Sequence, residues 1–190
     1  MTDRELLDRS ARGDEAAFLL VYERHRDAVF RFAFRMLGAR EPAEDLTHDC
    51  FVALLERPRR FDPGRASLRT YLFGAVRNLV WKRLRDEGRE AGGDVPDGID
   101  GGAADQLGII IEGERVRAVE RAVAELPPLQ REALVLHEYE NLPLTDIAAL
   151  SGVAAGTVKG RLFRARATLR RRLAPYLQGD AQPVSRKVRS

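Results

Sequence analysis

The sequence predicts an all-α protein of two small helical domains joined by a flexible acidic linker, with a helix-turn-helix in the C-terminal domain. Three observations support this prediction. Apolar residues recur at helical spacing through most of the 190 residues, and strand-like alternation is nearly absent. Residues 88–108 are rich in glycine and acids and lack periodicity, which is typical of a linker. Near the C-terminus, Gly152 separates two short helical segments, the second of them strongly basic.

The first domain is expected over residues 1–86 as three main helices. Asp14 is a suitable N-cap for the first, and Gly38 ends it. The second runs from about residue 43 to 56 and is stopped by Pro58, and after a turn at 61–65 the third covers about 67–86. Helical spacing predicts these buried positions: Phe18, Val21, Tyr22, His25, Phe32 and Met36, then Leu46, Cys50, Ala53 and Leu54, then Leu68, Leu72, Ala75, Val76 and Leu79.

Residues 87–112 are assigned to the linker, 113–176 to the second domain and 177–190 to a disordered tail. Within the second domain, Pro127 and Pro128 separate a first helix from one that starts near Leu129. In the helix-turn-helix, Ala148 suits the helix crossing, where only a small side chain fits. Gly152 suits a turn that requires positive φ.

The helix after Gly152 has an apolar stripe and a basic face. Val158, Leu162 and Ala165 are spaced to pack inward. Arginine and lysine bind guanine edges or phosphates, and phenylalanine can contact a thymine methyl group, so we expect the opposite face to enter a DNA major groove. The alternative is a helical hairpin that only packs. The predicted DNA-contacting residues are Thr157, Lys159, Arg161, Phe163, Arg164 and Arg166.

The charges are strongly segregated, although the net charge is only +3. Residues 57–85 contain nine basic residues and one acid, residues 86–112 eight acids and one base, and residues 154–173 seven bases and no acid. In the third helix, aromatic residues alternate with arginine and lysine. This pattern is typical of a surface that binds unpaired DNA, although each aromatic residue could equally belong to the core. We therefore expect two surfaces that bind a polyanion, separated by an acidic segment that the polyanion would repel.

Composition limits the remaining classes. No apolar run approaches the ~20 residues that span a bilayer, and no signal peptide is recognisable, so a cytoplasmic protein is expected. The single Cys50 excludes an intramolecular disulfide and a Cys-based zinc cluster. Asp45, His48 and Asp49 could be read as metal ligands, but an acidic face that docks onto a basic partner is favoured. No cofactor, metal or catalytic residue is predicted.

Taken together, residues 14–86 and 113–174 resemble bacterial RNA polymerase sigma factors of the extracytoplasmic-function (ECF) subgroup. The resemblance covers both domains, and its motifs occur in the family's order and spacing. Relative to the family, Lys82 stands where Asp is frequent, Gly160 where Ser is frequent and Tyr71 where Trp is common. The matching motifs include Ala43-Glu44-Asp45-Leu46-Thr47-His48-Asp49-Cys50-Phe51, Phe61-Asp62-Pro63, Arg77-Asn78, Leu126-Pro127, Ile147-Ala148 and Gly156-Thr157-Val158-Lys159.

The resemblance implies a protein that binds core RNA polymerase, recognises two promoter elements and helps to melt the DNA. The helix after Gly152 would read the −35 element, and the acidic linker would enter the polymerase RNA channel. An anti-sigma factor is an expected partner, whereas a small-molecule substrate and membrane insertion are not. The implied core-binding residues are Glu44, Asp45, Leu46, Asp49 and Phe51, and the implied −10 residues are Asp62, Arg65, Arg69, Tyr71, Arg77, Asn78 and Trp81.

Two other functions stay open at this point. A free-standing helix-turn-helix regulator would bind duplex operators without a polymerase. A metal-dependent nucleic-acid enzyme would require more ligands than the acidic cluster near His48 supplies.

Overall fold

The computed structural model describes residues 1–90 and 112–177, except for the side chains of residues 59, 89, 90, 112–114 and 177. The N-terminal unit contains α1 (Asp3–Ser10), α2 (Glu15–Leu37), α3 (Arg40–Glu56), a 3₁₀ turn (Pro58–Arg60) and α4 (Leu68–Glu90). The C-terminal unit contains α5 (Glu112–Ala124), α6 (Pro128–Leu134), a π-helical turn (Val135–Tyr139), α7 (Leu144–Ser151) and α8 (Ala155–Leu177). The expected all-α fold with two helical units is confirmed.

Local capping chemistry sets the ends of α2. The carboxylate of Asp14 accepts a hydrogen bond from the amide of Ala17 at 3.0 Å. This bond, together with a second one from the side chain of Arg9, lowers the pKa of Asp14. At the other end Gly38 takes φ +71°, the left-handed conformation that glycine adopts without steric penalty. Both ends predicted from the sequence are therefore confirmed.

The N-terminal unit packs α2 against α1, α3 and α4. Its core includes an edge-to-face pair of Phe32 and Phe73, with ring centroids 5.9 Å apart. The buried thiol of Cys50 lies 3.8 Å from the carbonyl oxygen of Leu72, and burial raises its pKa to about 12. Most of the predicted stripe positions are buried or half-buried, but Ala53 is exposed.

Helix α1 was not predicted. Thr2 and Glu5 form a capping box, in which the Thr2 amide donates to the Glu5 carboxylate at 2.8 Å and the Glu5 amide donates to the Thr2 hydroxyl at 3.3 Å. Leu6 and Leu7 on the following turn are buried, so this short helix extends the core. The capping box is the sequence signal that identifies it.

The second unit is less regular than expected near Leu129. Helix α6 ends at Leu134, and a π-helical turn follows, in which the amide of Glu140 bonds to the carbonyl of Val135 at 3.1 Å. The expected linker and tail lie largely on residues 91–111 and 178–190, outside the described residues. Residues 87–90 continue α4, and a salt bridge between Arg83 and Glu87 at 2.5 Å supports that last turn.

The two units share one continuous apolar core within the described residues. Buried side chains of α2 and α4 join those of α6, the π-helical turn and α7. Arg131 of α6 is also buried, and its guanidinium donates to the carbonyl oxygen of Met36, in the last turn of α2, at 2.8 Å. The interface therefore contains both apolar and hydrogen-bonded contacts.

Candidate nucleic-acid interface

The helix-turn-helix consists of α7, a turn at Gly152 and α8. Gly152 has φ +65°, and the amide of Val153 donates to the carbonyl of Ala148 at 3.1 Å. Ala148 is buried, as expected for a small residue where the helices cross. The predicted turn at Gly152 is confirmed, and α8 begins at Ala155, directly after it.

Helix α8 presents opposite faces to the core and to solvent. Val158, Leu162 and Ala165 are buried against the rest of the unit. On the other side Phe163 is 68% exposed, which is unusual for an aromatic side chain and is typical of a contact surface. The remaining predicted contact residues on this side are exposed Thr157, Lys159, Arg164 and Arg166, with Arg161 half-buried.

Two details modify this face. A Cβ atom at Gly160 would lie 3.5 Å from the guanidinium of Arg164, an ordinary contact distance, so this position has room for a small side chain beside the arginine. Arg166 is paired with Glu138 of the π-helical turn. Lys159, Phe163 and Arg164 are therefore the central part of the face, and Arg166 lies at its edge.

The residues predicted to hold the −10 element are divided between solvent and the interface. In the loop before α4, the carboxylate of Asp62 accepts the amide of Gly64 at 2.9 Å and lies 3.4 Å from the guanidinium of Arg65. Arg65 and Asn78 are exposed. Tyr71 packs edge-to-face on Phe61, with ring centroids 5.6 Å apart, so its ring is partly within the core.

Arg69, Arg77 and Trp81 instead face the C-terminal unit. Arg69 binds Glu140, while Arg77 and the indole of Trp81 both bind Glu132. Burial raises the pKa of Glu140 above its ordinary value, although three arginines act in the opposite direction. These contacts join residues far apart in the chain, and no local sequence pattern indicates them.

Three of the five predicted core-binding residues of α3 form an exposed acidic face: Glu44, Asp45 and Asp49. Asp45 and Asp49 are exposed, and Glu44 makes a salt bridge with Arg40 at 2.8 Å. Leu46 is half-buried. Phe51 is only 2% exposed and packs on Tyr22, so its side chain supports α3 from inside and is not part of the exposed face.

A groove between α2 and α3 lies beside this acidic face and was not predicted. Its volume is about 600 Å³. Leu19 and Leu55 remain about half exposed in its walls, with His48 at the same site. The sequence feature that could have indicated this groove is the presence of apolar residues outside the predicted buried stripes of the two helices. The lining also includes Glu15, Ala16, Phe18, Tyr22, Phe51 and Val52.

These features define a helical DNA-binding protein with a helix-turn-helix and a second basic–aromatic face. Among residues 1–90 and 112–177, no group of three or more His, Cys, Asp and Glu residues is arranged to hold a metal ion. In the same part of the chain, no helix has the length and apolar character needed to cross a membrane.

Comparison with known families identifies the particular class. Residues 21–90 match the Sigma-70 region 2 family, and residues 116–169 match the Sigma-70 region 4 family. The ECF RNA polymerase sigma factor SigE of Mycolicibacterium smegmatis is 33% identical, over 90% of this chain and 68% of the relative. The chain therefore belongs to the ECF sigma factors, which act in transcription initiation.

Two solved structures resemble the fold. The sigma factor RpoE of Bartonella quintana, solved with the anti-sigma factor NepR, is 27% identical with a TM-score of 0.67, over 83% of this chain and 96% of that chain. CnrH, solved with the cytosolic domain of CnrY, is 26% identical with a TM-score of 0.64, over 94% of this chain and 99% of that chain. The sigma-factor interpretation is confirmed, and the free-standing operator-binding regulator is not favoured.

Proposed function

We propose that the two DNA-binding surfaces divide promoter recognition between them. The face of α8 around Lys159, Phe163 and Arg164 reads the −35 element in the major groove, because cationic and aromatic side chains there are exposed on a rigid helix. The exposure of this face is the observation that carries the proposal. The Asp62–Arg65 loop and α4 hold the −10 element once it is unpaired.

The acidic face of α3 binds core RNA polymerase in this proposal. Asp45 and Asp49 project on one side of the helix, and the apolar groove next to them offers additional area for burial. Acidic and apolar surfaces side by side favour a partner that is basic and partly apolar. The chain makes and breaks no covalent bond, and it acts in the cytoplasm.

An anti-sigma factor is a second proposed partner. Support comes from two proteins of similar fold: the sigma factor RpoE was solved with the anti-sigma factor NepR, and CnrH was solved with the cytosolic domain of CnrY. For this chain the physical support is the exposed apolar groove between α2 and α3, which is large enough to accept side chains of a partner segment.

Run-off transcription with purified core polymerase tests the overall function. The template is a promoter identified by mapping transcription start sites after overexpression. Transcripts should form only when the protein and core are both present. Tight binding to the promoter duplex without core, or failure to associate with core, would contradict the proposal.

Two variants test the division of labour. Arg164→Ala should weaken use of the −35 element about 5- to 100-fold if the guanidinium contacts a base. Thr168→Ala, on the half-buried side of the same helix, is a control for general damage to α8. Asp45→Lys combined with Asp49→Lys should abolish core binding while the helical circular dichroism stays unchanged. An unchanged promoter profile or unchanged core affinity would remove the corresponding assignment.

A further inference from the structure

Two almost inaccessible carboxylates lie between the N-terminal and C-terminal units. Glu132 of α6 is 1% exposed, and Glu140, immediately after the π-helical turn, is 0% exposed. Carboxylates are rarely buried to this degree unless they are paired. Their partners come from α2 and α4 in the other unit and from Ser151 in α7.

Glu132 is bound by side chains assigned above to the −10 element. One carboxylate oxygen accepts the Nε of Arg77 at 2.9 Å and the hydroxyl of Ser151 at 2.8 Å. The other oxygen accepts the indole N–H of Trp81. The side chain of Arg77 is only 14% exposed in this arrangement, so its charge is not available to a DNA phosphate.

Glu140 binds a second group of basic side chains, all of them arginines. Arg69 donates to its carboxylate at 3.0 Å and to its main-chain carbonyl at 2.6 Å. Arg31 and Arg35 of α2 lie 3.6 and 3.7 Å from the same side chain. A carboxylate accepts the hydrogen bonds that a phosphate oxygen would otherwise accept. Glu140 therefore takes the place of a phosphate at Arg69.

Apolar packing brings the two units close together at Gly74. A Cβ atom added there would lie 2.9 Å from the Cδ2 of Leu150 in α7. Apart from Gly74's own chain neighbours and the nearby backbone of α4, no other atom of the described residues lies within 4 Å of it. The hydroxyl of Thr70, one turn earlier in α4, donates to the carboxylate of Asp146 at 3.1 Å. The small residue thus allows α4 and α7 to meet next to the ion pairs.

We propose that the C-terminal unit closes over the N-terminal unit and blocks its −10 surface, with Glu132 and Glu140 in the place of promoter DNA. This inference rests on the proposed role of Arg69, Arg77 and Trp81 in holding the −10 element. DNA and the C-terminal unit compete for the same N–H groups, so the element binds only when the units separate. A partner that binds the two units apart, as core polymerase does in this proposal, releases the surface.

The interactions suit a reversible closure. A buried ion pair loses much of its Coulomb attraction to desolvation, so such pairs add little net stability while they specify geometry. The raised pKa of Glu140 has the same physical cause. Under closure the apparent affinity for DNA equals the intrinsic affinity multiplied by the fraction of molecules that are open, so a variant that opens the interface restores the affinity.

Opening is measured first as a distance between the units in the full chain. Spin labels are placed at Asp27→Cys and Ala167→Cys, two exposed positions, in a Cys50→Ala background. The otherwise unaltered protein should give one narrow distance distribution. Gly74→Leu, which wedges α4 from α7, and Glu132→Gln, which removes the shared charge, should each give a longer and broader one. Glu125→Gln removes a charge paired with Arg172 inside the C-terminal unit and serves as the matched control.

The same variants are titrated into a fluorescent single strand that carries the −10 sequence of the mapped promoter. Gly74→Leu should bind about fivefold more tightly or better than the unaltered protein, and Glu125→Gln should not change. Unchanged distances in both opening variants, or longer distances without a gain in affinity, would overturn the proposal. Run-off transcription with Arg77→Gln and Trp81→Ala separates this failure from failure of the proposed function. If these residues do not hold the −10 element, both variants should transcribe normally. If only the closure is wrong, both should transcribe poorly.

Discussion

Replacement of Arg131 by methionine tests how the two units are held together. Arg131 is 2% exposed and binds main-chain carbonyls only: Met36 at 2.8 Å, Leu126 at 3.1 Å, and Ala124. Burial lowers its pKa to about 10, so the side chain is still protonated at neutral pH. Its charge is therefore stabilised by carbonyl dipoles, including those at the C-terminal end of α2.

The expected loss of stability follows from two opposing contributions. Hydrogen bonds from a charged donor each contribute roughly 2 kcal/mol, and Arg131→Met removes three of them. Methionine in turn buries an apolar side chain in the same space, which contributes up to about 3 kcal/mol in the opposite direction. The net destabilisation is about 3 kcal/mol, equivalent to ~6–12 °C in Tm for a chain of this length.

Urea unfolding, followed by circular dichroism at 222 nm and by the fluorescence of Trp81, measures this value. Trp81 is the single tryptophan of the chain and lies at the interface, so its emission also reports separation of the units. Arg121→Met, at an exposed position of α5, is the matched control and should change stability by less than ~0.5 kcal/mol. A loss below ~1 kcal/mol for Arg131→Met would refute the reasoning.

Three further predictions concern single residues. Gly152→Ala should destabilise the protein by about 1–2 kcal/mol in urea unfolding, because alanine is strained at φ +65°, and an unchanged midpoint would exclude that strain. Cys50, whose pKa burial raises to about 12, should resist iodoacetamide at about pH 8 until urea unfolds the chain, and alkylation of the folded protein at the rate of a free thiol would contradict this. Burial lowers the pKa of His25 from 6.5 despite the carboxylate of Asp3, so the unfolded chain takes up a proton at higher pH than the folded one. Stability should therefore fall as pH drops through about 6.5, and His25→Gln should show a smaller fall in urea midpoint between about pH 7.5 and pH 5.5.

The sequence predicted the local features well because their causes are local. The cap at Asp14 and the glycine at position 152 depend on a few neighbouring residues, and the buried stripes follow from helical spacing. Helix α1 was missed even though Thr2 and Glu5 carry a capping box, because its eight residues contain only one pair of buried leucines. A short helix of this kind depends on packing against α2 more than on its own pattern.

The partners of the basic residues could not be predicted from the sequence. Arg77 and Glu132 are 55 positions apart in the chain, and Arg69 and Glu140 are 71 apart. A pattern of alternating bases and aromatic rings indicates a surface that binds anions and flat apolar groups. It does not distinguish nucleic acid from carboxylates of the same chain, since both accept the same N–H bonds.

This ambiguity has a consequence for the order of promoter contacts. The face of α8 around Lys159 and Arg164 is exposed in the closed chain, whereas Arg77 is covered by Glu132. Under the proposed closure, the −35 surface can meet duplex DNA before the units separate, but the −10 surface cannot. Separation must therefore precede capture of the unpaired strand. The closure thus predicts weak binding to single-stranded DNA by the chain alone, and such a result would reflect the closed conformation and not a lack of affinity of α4 for DNA.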